Sequence, residues 1–429
     1  MRMLKEHAEQ IFKEGIKAVD PYEAVKRTVE SRIENLGDIY VIGAGKATAP
    51  MAKAIEDMFG ERIKKGVIVV KYGFKERLRY IEVIEAGHPV PDENGLKGTK
   101  KIIELLRSLK KDDLLFSLIS GGGSSLLPLP ADGITLEEKR ILTEALLKCG
   151  ASIDEINTVR KHISLSKGGR LAKASYPAKV INLMLSDVVG DRIDMIASGP
   201  FVPDPTSFSD ALEVLRKYDL LDKVPKTIIE YIKAGIEGKV PETPKPGDPV
   251  FQNVENIIVG SNLIALKACE KKAKELGYNT MILSSMIEGE TRDIAKMHCA
   301  IAKQILKTGD PIPPPCCIIS GGETTVTVRG KGKGGRNLEF CLACAIEIDG
   351  LKRDMVILSA GTDGNDGDTD AAGAIVDPYT VKRGREKGMS AIDYLRNNDS
   401  YNFLKETGDL LITGPTRTNV MDIHIILIR

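Results

Sequence analysis

A run of three glycines between serines follows an apolar stretch at residues 113–119, and its composition suits anion binding. The segment, which we call the triple-glycine turn, consists of Ser120, Gly121, Gly122, Gly123, Ser124 and Ser125. Glycine tolerates positive φ angles and the close approach of a ligand, so its backbone N–H groups can converge on an anion. A tight turn alone does not require three adjacent glycines. We therefore predict that this segment binds a phosphate of a nucleotide or a substrate.

A lysine stands at a second glycine-containing junction, Gly43-Ala44-Gly45-Lys46, between an apolar stretch and a helical pattern. The junction lacks the spacing of a P-loop, and Thr48 occupies the position where a dinucleotide-binding fingerprint needs its third glycine. Open α/β sheets bind ligands at the carboxyl ends of their strands, which is where we expect Lys46. A solvated lysine at a helix start explains the local pattern equally well.

The second half of the chain combines glycine with charge again. Ser320-Gly321-Gly322-Glu323 follows an apolar stretch, and Gly334-Gly335-Arg336-Asn337 opens a predicted helix. Glycines let the backbone wrap around an anion, and a guanidinium at a helix start can bind phosphate through paired N–H groups. We predict phosphate binding by these glycines and Asn337. A solvated basic hairpin tip is the alternative for the stretch before Arg336.

The densest acidic segment, residues 359–370, also follows an apolar stretch and contains Asp363, Asp366, Asp368 and Asp370. Its spacing does not match an EF-hand loop. Hard oxygen ligands without histidine or thiolate suit Mg²⁺, which keeps several waters and bridges substrate phosphates. The segment therefore predicts a magnesium site, and a solvated acidic loop is the alternative.

Bulk composition narrows the class of protein. With 61 basic and 60 acidic side chains among 429 residues, the formal charge is +1, which argues against a nucleic-acid or membrane partner. No signal peptide or membrane span is evident, and seven cysteines without a disulfide spacing suit a reducing compartment. We expect a cytoplasmic protein. Abundant Lys, Glu, Ile and Arg and the absence of Trp hint at a thermophile.

The order of apolar stretches predicts an α/β fold with two domains. The first half alternates short β-branched stretches with amphipathic segments, and strands are predicted at 38–42, 66–71, 113–119 and 178–185. A Pro-, Lys- and Gly-rich stretch at 240–247 predicts a linker, so we place the domains at residues 1–240 and 241–429. Further strands are predicted at 256–259, 280–283, 316–319, 324–328 and 355–359, with a hairpin after Glu323.

Three other residues that could do chemistry favour structural interpretations when taken alone. Cys341 and Cys344 have redox spacing, but they fall inside a predicted helix, so we interpret them as packing residues. His162 is more often a hydrogen-bonding histidine than a catalyst in such a context.

Taken together, these segments resemble the glycerate 2-kinase family, whose C-terminal domain is called MOFRL. The matching stretches cover nearly the whole chain and lie at 41–47, 86–92, 119–125, 157–170, 185–191, 197–200, 320–324, 334–337, 360–373 and 414–416. The closing motif of the family looks like Gly-Pro-Thr-Gly-Thr-Asn-Val. This chain departs from it at Arg417, which stands in place of the second glycine.

The resemblance implies transfer of the γ-phosphoryl group of ATP to the 2-hydroxyl of D-glycerate, giving 2-phosphoglycerate, with Mg²⁺ or another divalent cation. It implies an N-terminal domain with a Rossmann-like parallel sheet, a C-terminal α/β MOFRL domain and an active site in the cleft between them. The partner is a small molecule rather than a nucleic acid or a membrane. The oligomeric state stays open, with a homodimer as one candidate.

On this interpretation, Lys46 and Arg336 neutralise the transferring phosphoryl group while the triple-glycine turn holds phosphate. Three residues would supply carboxylates, either as magnesium ligands or as the base that takes the hydroxyl proton: Asp187, Glu323 and Asp363. The resemblance adds His162 and Asn419 as candidates for substrate contacts.

Two other functions stay open at this point. A hydroxypyruvate reductase using a nicotinamide cofactor would suit the Rossmann-like opening, but Lys71 occupies the region where an acidic ribose partner belongs. A non-catalytic phosphosugar-binding or nucleotide-binding regulator is the other alternative. The acidic segment argues against it, because a binder of anions has little use for carboxylates unless a metal intervenes.

Overall fold

The structure is a computed structural model that describes residues 1–32 and 37–429. It divides into two compact units. One comprises residues 21–186 and 191–259, and we call its described part the N-terminal sheet unit. The other comprises residues 1–20, 187–190 and 260–429, and we call it the C-terminal sheet unit. The domain boundary at residue 240 stays a prediction.

Each unit is built around one sheet with helices packed against it. The strands are β1 (Ile39–Ala44), β2 (Ile63–Lys71), β3 (Ile81–Ala86), β4 (Leu114–Ile119), β5 (Lys179–Leu185), β6 (Val254–Gly260), β7 (Asn279–Ile282), β8 (Cys316–Gly322), β9 (Met355–Gly361), β10 (Gly373–Val376), β11 (Leu410–Leu411) and β12 (Asp422–Ile428).

The helices of the described residues are α1 (Arg2–Ala18), α2 (Pro21–Glu30), α3 (Thr48–Phe59), α4 (Glu93–Arg107), α5 (Gly123–Leu126), α6 (Leu136–Lys148), α7 (Ile153–His162), α8 (Arg170–Ser175), α9 (Phe208–Lys217), α10 (Lys226–Ile236), α11 (Asn262–Glu275), α12 (Thr291–Thr308), α13 (Arg336–Glu347), α14 (Thr380–Glu386), α15 (Ala391–Arg396) and α16 (Ser400–Thr407). None of the helices in the ranges given above is long and apolar enough to cross a membrane.

The sheet of the N-terminal sheet unit has the strand order β3-β2-β1-β4-β5-β6, and β1 to β5 pair in parallel. The chain runs outward from β1 to β3 and returns to β4 beside β1. The strand order therefore reverses between β1 and β4, where open α/β sheets bind ligands. Ala44 pairs with Ile119, so the two strands end side by side. The predicted Rossmann-like sheet is confirmed.

Strand β3 escaped the sequence analysis because its pattern is mixed. It lies at the edge of the sheet and pairs only with β2 among the described strands. Glu82 and Glu85 interrupt its apolar residues, and Glu82 is exposed. Charged side chains are tolerated there because an edge strand is half solvated, and they protect it from pairing with other chains.

The C-terminal sheet unit has a mixed sheet with the order β11-β10-β9-β12-β8-β7. Strands β7 and β8 are parallel, whereas β12 runs antiparallel to both β8 and β9. The last strand of the chain thus occupies the centre of the sheet, and all seven of its residues are buried. The sequence analysis did not predict β10, β11 or β12.

The predicted strand at 324–328 and the hairpin after Glu323 are wrong. In this stretch, only isolated bridging of Thr325 to Glu290 is present. The following basic segment instead packs its backbone against polar side chains, because the N–H groups of Arg329 and Gly330 both donate to Asn398 Oδ1, at 2.8 and 2.9 Å. Side-chain acceptors replace the strand partner that the β-branched pattern suggested.

Helix α13 lies in the core of the C-terminal sheet unit. Cys341 and Cys344 are fully buried among apolar neighbours that include Phe340. Burial raises the pKa of both thiols, so neither is an activated thiolate. The interpretation of the pair as packing residues is confirmed.

A separate helical layer in the N-terminal sheet unit holds α6, α7, α9 and α10 around one apolar cluster. Capping boxes begin three of these helices, through Thr135 in α6, Ser152 in α7 and Ser207 in α9. Each box satisfies backbone donors that a helix start leaves open. The sequence therefore sets where α7 begins and which of its faces enters the core.

Candidate active site

Lys46 and the triple-glycine turn meet at the point where the strand order of the first sheet reverses. The N–H of Lys46 donates to Gly121 O at 2.9 Å, and the N–H of Ala47 donates to Ser120 Oγ at 3.0 Å. The Lys46 side chain is half-buried, and the residue lies two positions before the start of α3. Two segments that the sequence singled out separately thus form one surface.

Gly45 allows this contact because the two backbones nearly touch. Its φ angle is +146°, and a Cβ placed there would lie 2.0 Å from Ser120 Oγ and 2.6 Å from Ser120 O. Only glycine fits at such a distance. The glycine therefore serves the close approach of β1 and β4, and Lys46 follows directly from it.

The triple-glycine turn leaves donors available at the same place. Gly122 has φ +87°, a left-handed conformation that glycine favours. Within the described ranges, the backbone N–H groups of Gly121 and Gly122 have no hydrogen-bond partner. Two unsatisfied amides beside a lysine are the arrangement that an anion completes. This geometry supports the predicted phosphate role of the turn.

His88 is a neighbour that sequence reasoning missed as a site residue. A Cβ at Gly122 would lie 2.7 Å from His88 Cδ2, so the ring packs on the turn. Burial first, and then the positive charges of Lys46 and Lys71, lower the pKa of His88 below its ordinary value. The ring is therefore neutral near pH 7 and can hydrogen-bond a ligand. The sequence did offer one signal for this residue. His88 follows β3, and the carboxyl end of that strand lies at the same edge of the sheet as those of β1 and β4.

Arg336 is the centre of the polar cluster in the C-terminal sheet unit. Its Nε donates to Asp422 Oδ2 at 2.6 Å, its Nη2 to Asp422 Oδ1 at 3.1 Å and its Nη1 to Glu323 Oε1 at 2.6 Å. Burial alone would lower the pKa of Arg336, but Asp422 and Glu323 outweigh it and raise the pKa above its ordinary value. The guanidinium is charged and held in one orientation.

Asp422, which sequence reasoning missed, anchors this arginine. It begins β12 and is fully buried, and burial raises its pKa to about 7 against the opposing charge of Arg336. Asn337 Nδ2 also donates to Asp422 Oδ1, at 2.9 Å, and Ser359 Oγ donates to Asn337 Oδ1, at 2.6 Å. A lone aspartate before an apolar strand carries no sequence signal. Asp422 reaches Arg336 because β12 pairs between β8 and β9.

The acidic segment divides into residues with different positions. Asp366 is buried and accepts the backbone N–H groups of Asn337 and Leu338 at 3.1 and 2.8 Å, so it caps the start of α13. Asp370 accepts from Tyr401 at 2.7 Å. Asp368 is exposed. Asp363 is half-buried and accepts the N–H of Asn365 at 3.2 Å.

A cavity of about 480 Å³ opens beside Arg336 in the same unit. It is lined by Thr324, Thr325, Val326, Gly335, Arg336, Asp363, Asn365, Asp366 and Gly367. Asp363 and Arg336 thus face one space, and Glu323 contacts Arg336. Within the described residues, no group of three or more acidic, histidine or cysteine side chains has the arrangement of a metal site. Mg²⁺ usually needs only one or two carboxylates, because waters and substrate phosphates complete its shell, so Asp363 and Glu323 suit it.

The glycines predicted to hold phosphate in this unit have packing reasons for being glycine. Gly321 and Gly322 lie inside β8, and the N–H of Gly321 already donates to Ser284 O at 2.8 Å. A Cβ at Gly334 would lie 2.4 Å from Ser400 Oγ, and one at Gly335 would lie 2.4 Å from Asp366 Cγ. Their phosphate role stays a prediction.

His162 lies in the helical layer of the N-terminal sheet unit and is fully buried. Its Nδ1 is 2.7 Å from Thr158 O, its Nε2 is 2.9 Å from Glu242 Oε1, and its ring packs edge-on against Phe208. Burial raises the pKa of Glu242, but His162 and two backbone N–H groups lower it to about 2. These contacts account for the histidine structurally, and its substrate role stays a prediction.

The remaining predicted residues lie on loops of the C-terminal sheet unit. Asp187 follows β5 and is half-buried. Asn419 Oδ1 accepts the N–H of Met421 at 3.1 Å, and the N–H of Thr416 in the same closing loop donates to Asp363 O at 3.2 Å. Arg417 has φ +63°, so it adopts the left-handed conformation that the family glycine would favour.

Lys46 and the triple-glycine turn belong to one unit, and the second set of predicted residues belongs to the other: Asp187, Glu323, Arg336, Asp363 and Asn419. The predicted cleft between domains stays a prediction.

Comparison with known proteins covers the segments of both units. Residues 7–233 match a family described as a domain of unknown function, DUF4147, and residues 316–422 match the MOFRL family. The chain is 44% identical to "Glycerate 2-kinase" of Pyrococcus horikoshii, with 99% of this chain and 97% of that protein covered. It is 47% identical to "D-glycerate 2-kinase" of Thermotoga maritima, with 99% and 98% covered.

A solved structure agrees over the full length. The crystal structure of glycerate kinase from Thermotoga maritima superposes with a TM-score of 0.94 at 46% identity, and the match covers 100% of both chains. Identity at this level across both units indicates a shared family and not only a shared fold. The chain belongs to the glycerate 2-kinase family, with a MOFRL segment in its C-terminal sheet unit.

Proposed function

We propose that this protein is an ATP-dependent glycerate 2-kinase, which transfers the γ-phosphoryl group to the 2-hydroxyl of D-glycerate. The observation that carries the proposal is the surface formed by Lys46 and the open amides of the triple-glycine turn, at the strand reversal of a Rossmann-like sheet. The relatives named as glycerate 2-kinases cover 99% of this chain, which includes the segments of this sheet and of Arg336. ATP, D-glycerate, ADP and 2-phosphoglycerate are the implied substrates and products.

Phosphoryl transfer depends mainly on positioning and on neutralising charge, and the residues of this chain suit both tasks. Lys46 offers a flexible ammonium beside the amides of Gly121 and Gly122, which would bind phosphate oxygens. His88 borders the same surface. Because the pKa of His88 is lowered, it adds hydrogen-bonding capacity there without a competing positive charge.

Arg336 suits a role as a fixed cation. A guanidinium has five N–H donors, and Asp422 and Glu323 accept three hydrogen bonds from it. The other N–H directions can serve a phosphoryl group without reorganising the side chain. Asp422 would act through Arg336 by holding its orientation, so it is a positioning residue.

In the C-terminal sheet unit, the carboxylates of Asp363 and Glu323 would hold Mg²⁺, and Asp187 is the third candidate. A bound Mg²⁺ would supply charge neutralisation of the nucleotide phosphates. The same three residues are the candidates for the base that takes the proton of the 2-hydroxyl. Asn419, in the loop hydrogen-bonded to Asp363, and His162 are kept as candidates for substrate contacts.

The test is a turnover assay with the purified full-length chain. ADP release is measured with ATP, Mg²⁺ and D-glycerate, with L-glycerate as the matched control. Coupling to enolase, which accepts 2-phosphoglycerate but not 3-phosphoglycerate, identifies the product. We expect ADP release that requires D-glycerate and an enolase signal of equal rate. ADP release without an enolase signal would contradict phosphorylation at the 2-hydroxyl, and no ADP release would contradict the kinase proposal.

The reductase alternative finds no support in the geometry. Lys71 ends β2, where a nicotinamide-binding sheet places an acidic partner for the ribose, and its Nζ lies 5.4 Å from the centre of the Phe74 ring. Mixing the protein with hydroxypyruvate and NADH should leave the absorbance of NADH unchanged.

We further propose a cytoplasmic enzyme from a thermophile, in line with the composition and with relatives from Pyrococcus horikoshii and Thermotoga maritima. A homodimer stays a prediction. Sedimentation velocity of the purified protein would measure the assembly directly.

A further inference from the structure

Three basic side chains lie together inside the N-terminal sheet unit, behind the triple-glycine turn. Lys139 on α6, Arg160 on α7 and Lys167 after α7 form what we call the basic cluster. Lys139 and Lys167 are 5% and 1% exposed, whereas Arg160 is partly exposed. Buried ammonium groups are costly unless a negative charge accompanies them, so such a cluster calls for an explanation.

Among the residues that the structure describes, no carboxylate neutralises this cluster. Lys139 Nζ donates to Pro128 O at 3.2 Å and to Ser164 Oγ at 3.5 Å, and Lys167 Nζ donates to Ser124 O at 2.7 Å. All of these acceptors are neutral. In the ranges 1–32 and 37–429, no carboxylate pairs with any of the three basic side chains, and the guanidinium of Arg160 makes no hydrogen bond.

Burial and the neighbouring positive charges lower the pKa values of both lysines. Burial first, and then the charges of Lys139 and Arg160, lower the pKa of Lys167 well below its ordinary value. Burial and the charge of Arg160 lower the pKa of Lys139 to about 7. A bound anion would offset this mutual repulsion, which gives the cluster a reason to bind one.

The basic cluster connects directly to the turn. Asn157 lies one helical turn before Arg160 on α7, so the two share a face. Asn157 Oδ1 accepts from Ser198 Oγ at 2.8 Å, and Ser198 Oγ is 2.9 Å from Ser124 Oγ. Ser124 in turn carries the carbonyl that binds Lys167. The face of α7 that presents Arg160 is therefore tied to the serine side of the triple-glycine turn.

We infer that the basic cluster binds the carboxylate of the hydroxy-acid acceptor, with Arg160 as the contacting cation and the two lysines behind it. The inference rests on the proposed function, because it concerns the acceptor of that reaction. Bidentate pairing with a carboxylate is the characteristic use of an unpaired guanidinium. The site would distinguish a three-carbon acid from an uncharged polyol of the same size.

The depth of the cluster favours a carboxylate over a nucleotide phosphate. The two lysines are at least nine-tenths buried, so a small group at the end of a ligand reaches them more easily than a triphosphate chain does. The nucleotide phosphates have a separate set of donors on Lys46 and the amides of Gly121 and Gly122.

The experiment compares wild type with Arg160→Gln, and measures KM for D-glycerate, KM for ATP and the ratio of kcat/KM for D-glycerate to that for glycerol. Loss of a charged hydrogen bond should raise KM for D-glycerate about 10- to 100-fold. KM for ATP should change less than about twofold, because Arg160 is not among the ATP-binding candidates. The preference for D-glycerate over glycerol should fall by a similar factor as KM rises.

Lys148→Gln removes an exposed cation from the end of α6 and should leave all three quantities unchanged. Lys167→Met provides a second variant of the cluster if Arg160→Gln folds poorly, and the same KM split is expected. An unchanged KM for D-glycerate, or a rise in KM for ATP alone, would overturn the inference.

Failure of the proposed function can be told apart from failure of this inference. Absent turnover by wild type would count against the kinase. D-glycerate binding by calorimetry would then still test the cluster, with binding by wild type and by Lys148→Gln but loss of binding in Arg160→Gln as the expected result. Equal binding by wild type and Arg160→Gln would overturn the inference.

Discussion

The two cations predicted to neutralise the transferring phosphoryl group, one in each unit, are held in opposite ways. Arg336 donates to two carboxylates, and the buried Asp422 holds its guanidinium from behind. Lys46 is fixed through its backbone N–H, which donates to Gly121 O, while its side chain makes no ion pair within the described part of the chain. A fixed cation suits charge that develops in one place, and a mobile one suits a ligand that enters and leaves.

Replacing Lys46 by Met should lower kcat about 100-fold or more, because removing one donor to the transferring phosphoryl group typically costs that much. Steady-state kinetics with D-glycerate and ATP measures the effect. Arg336→Met should behave likewise. Lys53→Met removes a partly exposed lysine of α3 that pairs with Asp57 and serves as the control, with near-wild-type kinetics. Near-wild-type turnover of Lys46→Met would remove Lys46 from the mechanism.

Arg417 is a second position where one residue carries a clear expectation. It has φ +63°, a conformation that costs a side-chain-bearing residue about 1 kcal/mol relative to glycine. Arg417→Gly should therefore raise the free energy of unfolding by up to about 1 kcal/mol. Urea denaturation measures it. Arg417→Ala is the control, since it removes the same side-chain contacts but keeps the strained Cβ. Equal stabilities of the Gly and Ala variants would contradict the strain.

At the scale of elements, the start of α13 joins structure to chemistry. Gly335 precedes the helix and offers no capping side chain, and the cap comes instead from Asp366, in the loop after β9. Arg336 and Asn337 are the first two residues of this helix. Capping therefore holds the loop of Asp363 beside Arg336.

Asp366→Ala should lower the free energy of unfolding by about 1–2 kcal/mol, the usual value of a helix cap. It should also lower kcat, because Arg336 begins the same helix. Asp368→Ala, in the same loop but exposed, is the matched control and should alter neither quantity. Chemical denaturation and steady-state kinetics supply the two measurements. Two variants of equal stability would show that Asp366 does not cap α13.

At the scale of the whole molecule, each unit carries polar side chains at the ends of its central strands. In the N-terminal sheet unit these ends are those of β1 and β4, and in the C-terminal sheet unit they are those of β8 and β9 together with the start of β12. In both units, a buried sheet positions the loops that follow its strands. The relatives named as glycerate 2-kinases cover the segments of both units.

Acid should destabilise the fold in a defined pH window. The pKa values of Glu155 and Glu242 are both lowered to about 2, for Glu155 chiefly by the hydrogen bond from Lys217. A carboxyl group with a lowered pKa stabilises the fold fully above its ordinary pKa, and this contribution is lost as the pH falls towards the folded value. The free energy of unfolding should therefore fall between about pH 4.5 and pH 2.

Glu242→Gln isolates one contribution, which we expect to be about 1 kcal/mol after allowing for the exposure of this side chain. Urea denaturation at pH 6 and pH 3 should show a smaller pH dependence in the variant than in wild type. Glu137→Gln on the exposed start of α6 is the control. Identical pH dependence in wild type and Glu242→Gln would show that the contact with His162 does not stabilise the carboxylate.

Local patterns were sufficient wherever a strand or helix is defined by its own residues. The strand before Lys46, the triple-glycine turn and α13 with its buried cysteines all follow from short stretches of apolar periodicity and glycine. One stretch shows where a local pattern is not sufficient. Residues 324–328 have strand-like composition but leave the sheet, because side-chain acceptors such as Asn398 and Glu290 take the nearby backbone N–H groups.

By itself, the sequence determined the family, the parallel first sheet and the residues that lie at its strand ends, because these depend on local composition and on motif spacing. Only the tertiary structure decided that Gly45 brings Lys46 against Ser120, that Asp422 holds Arg336, and that Arg160 has no carboxylate partner among the described residues. These relations join residues far apart in the chain. Their physical cause is sheet pairing and burial, which bring charges together and set their pKa values, and no short sequence pattern records either one.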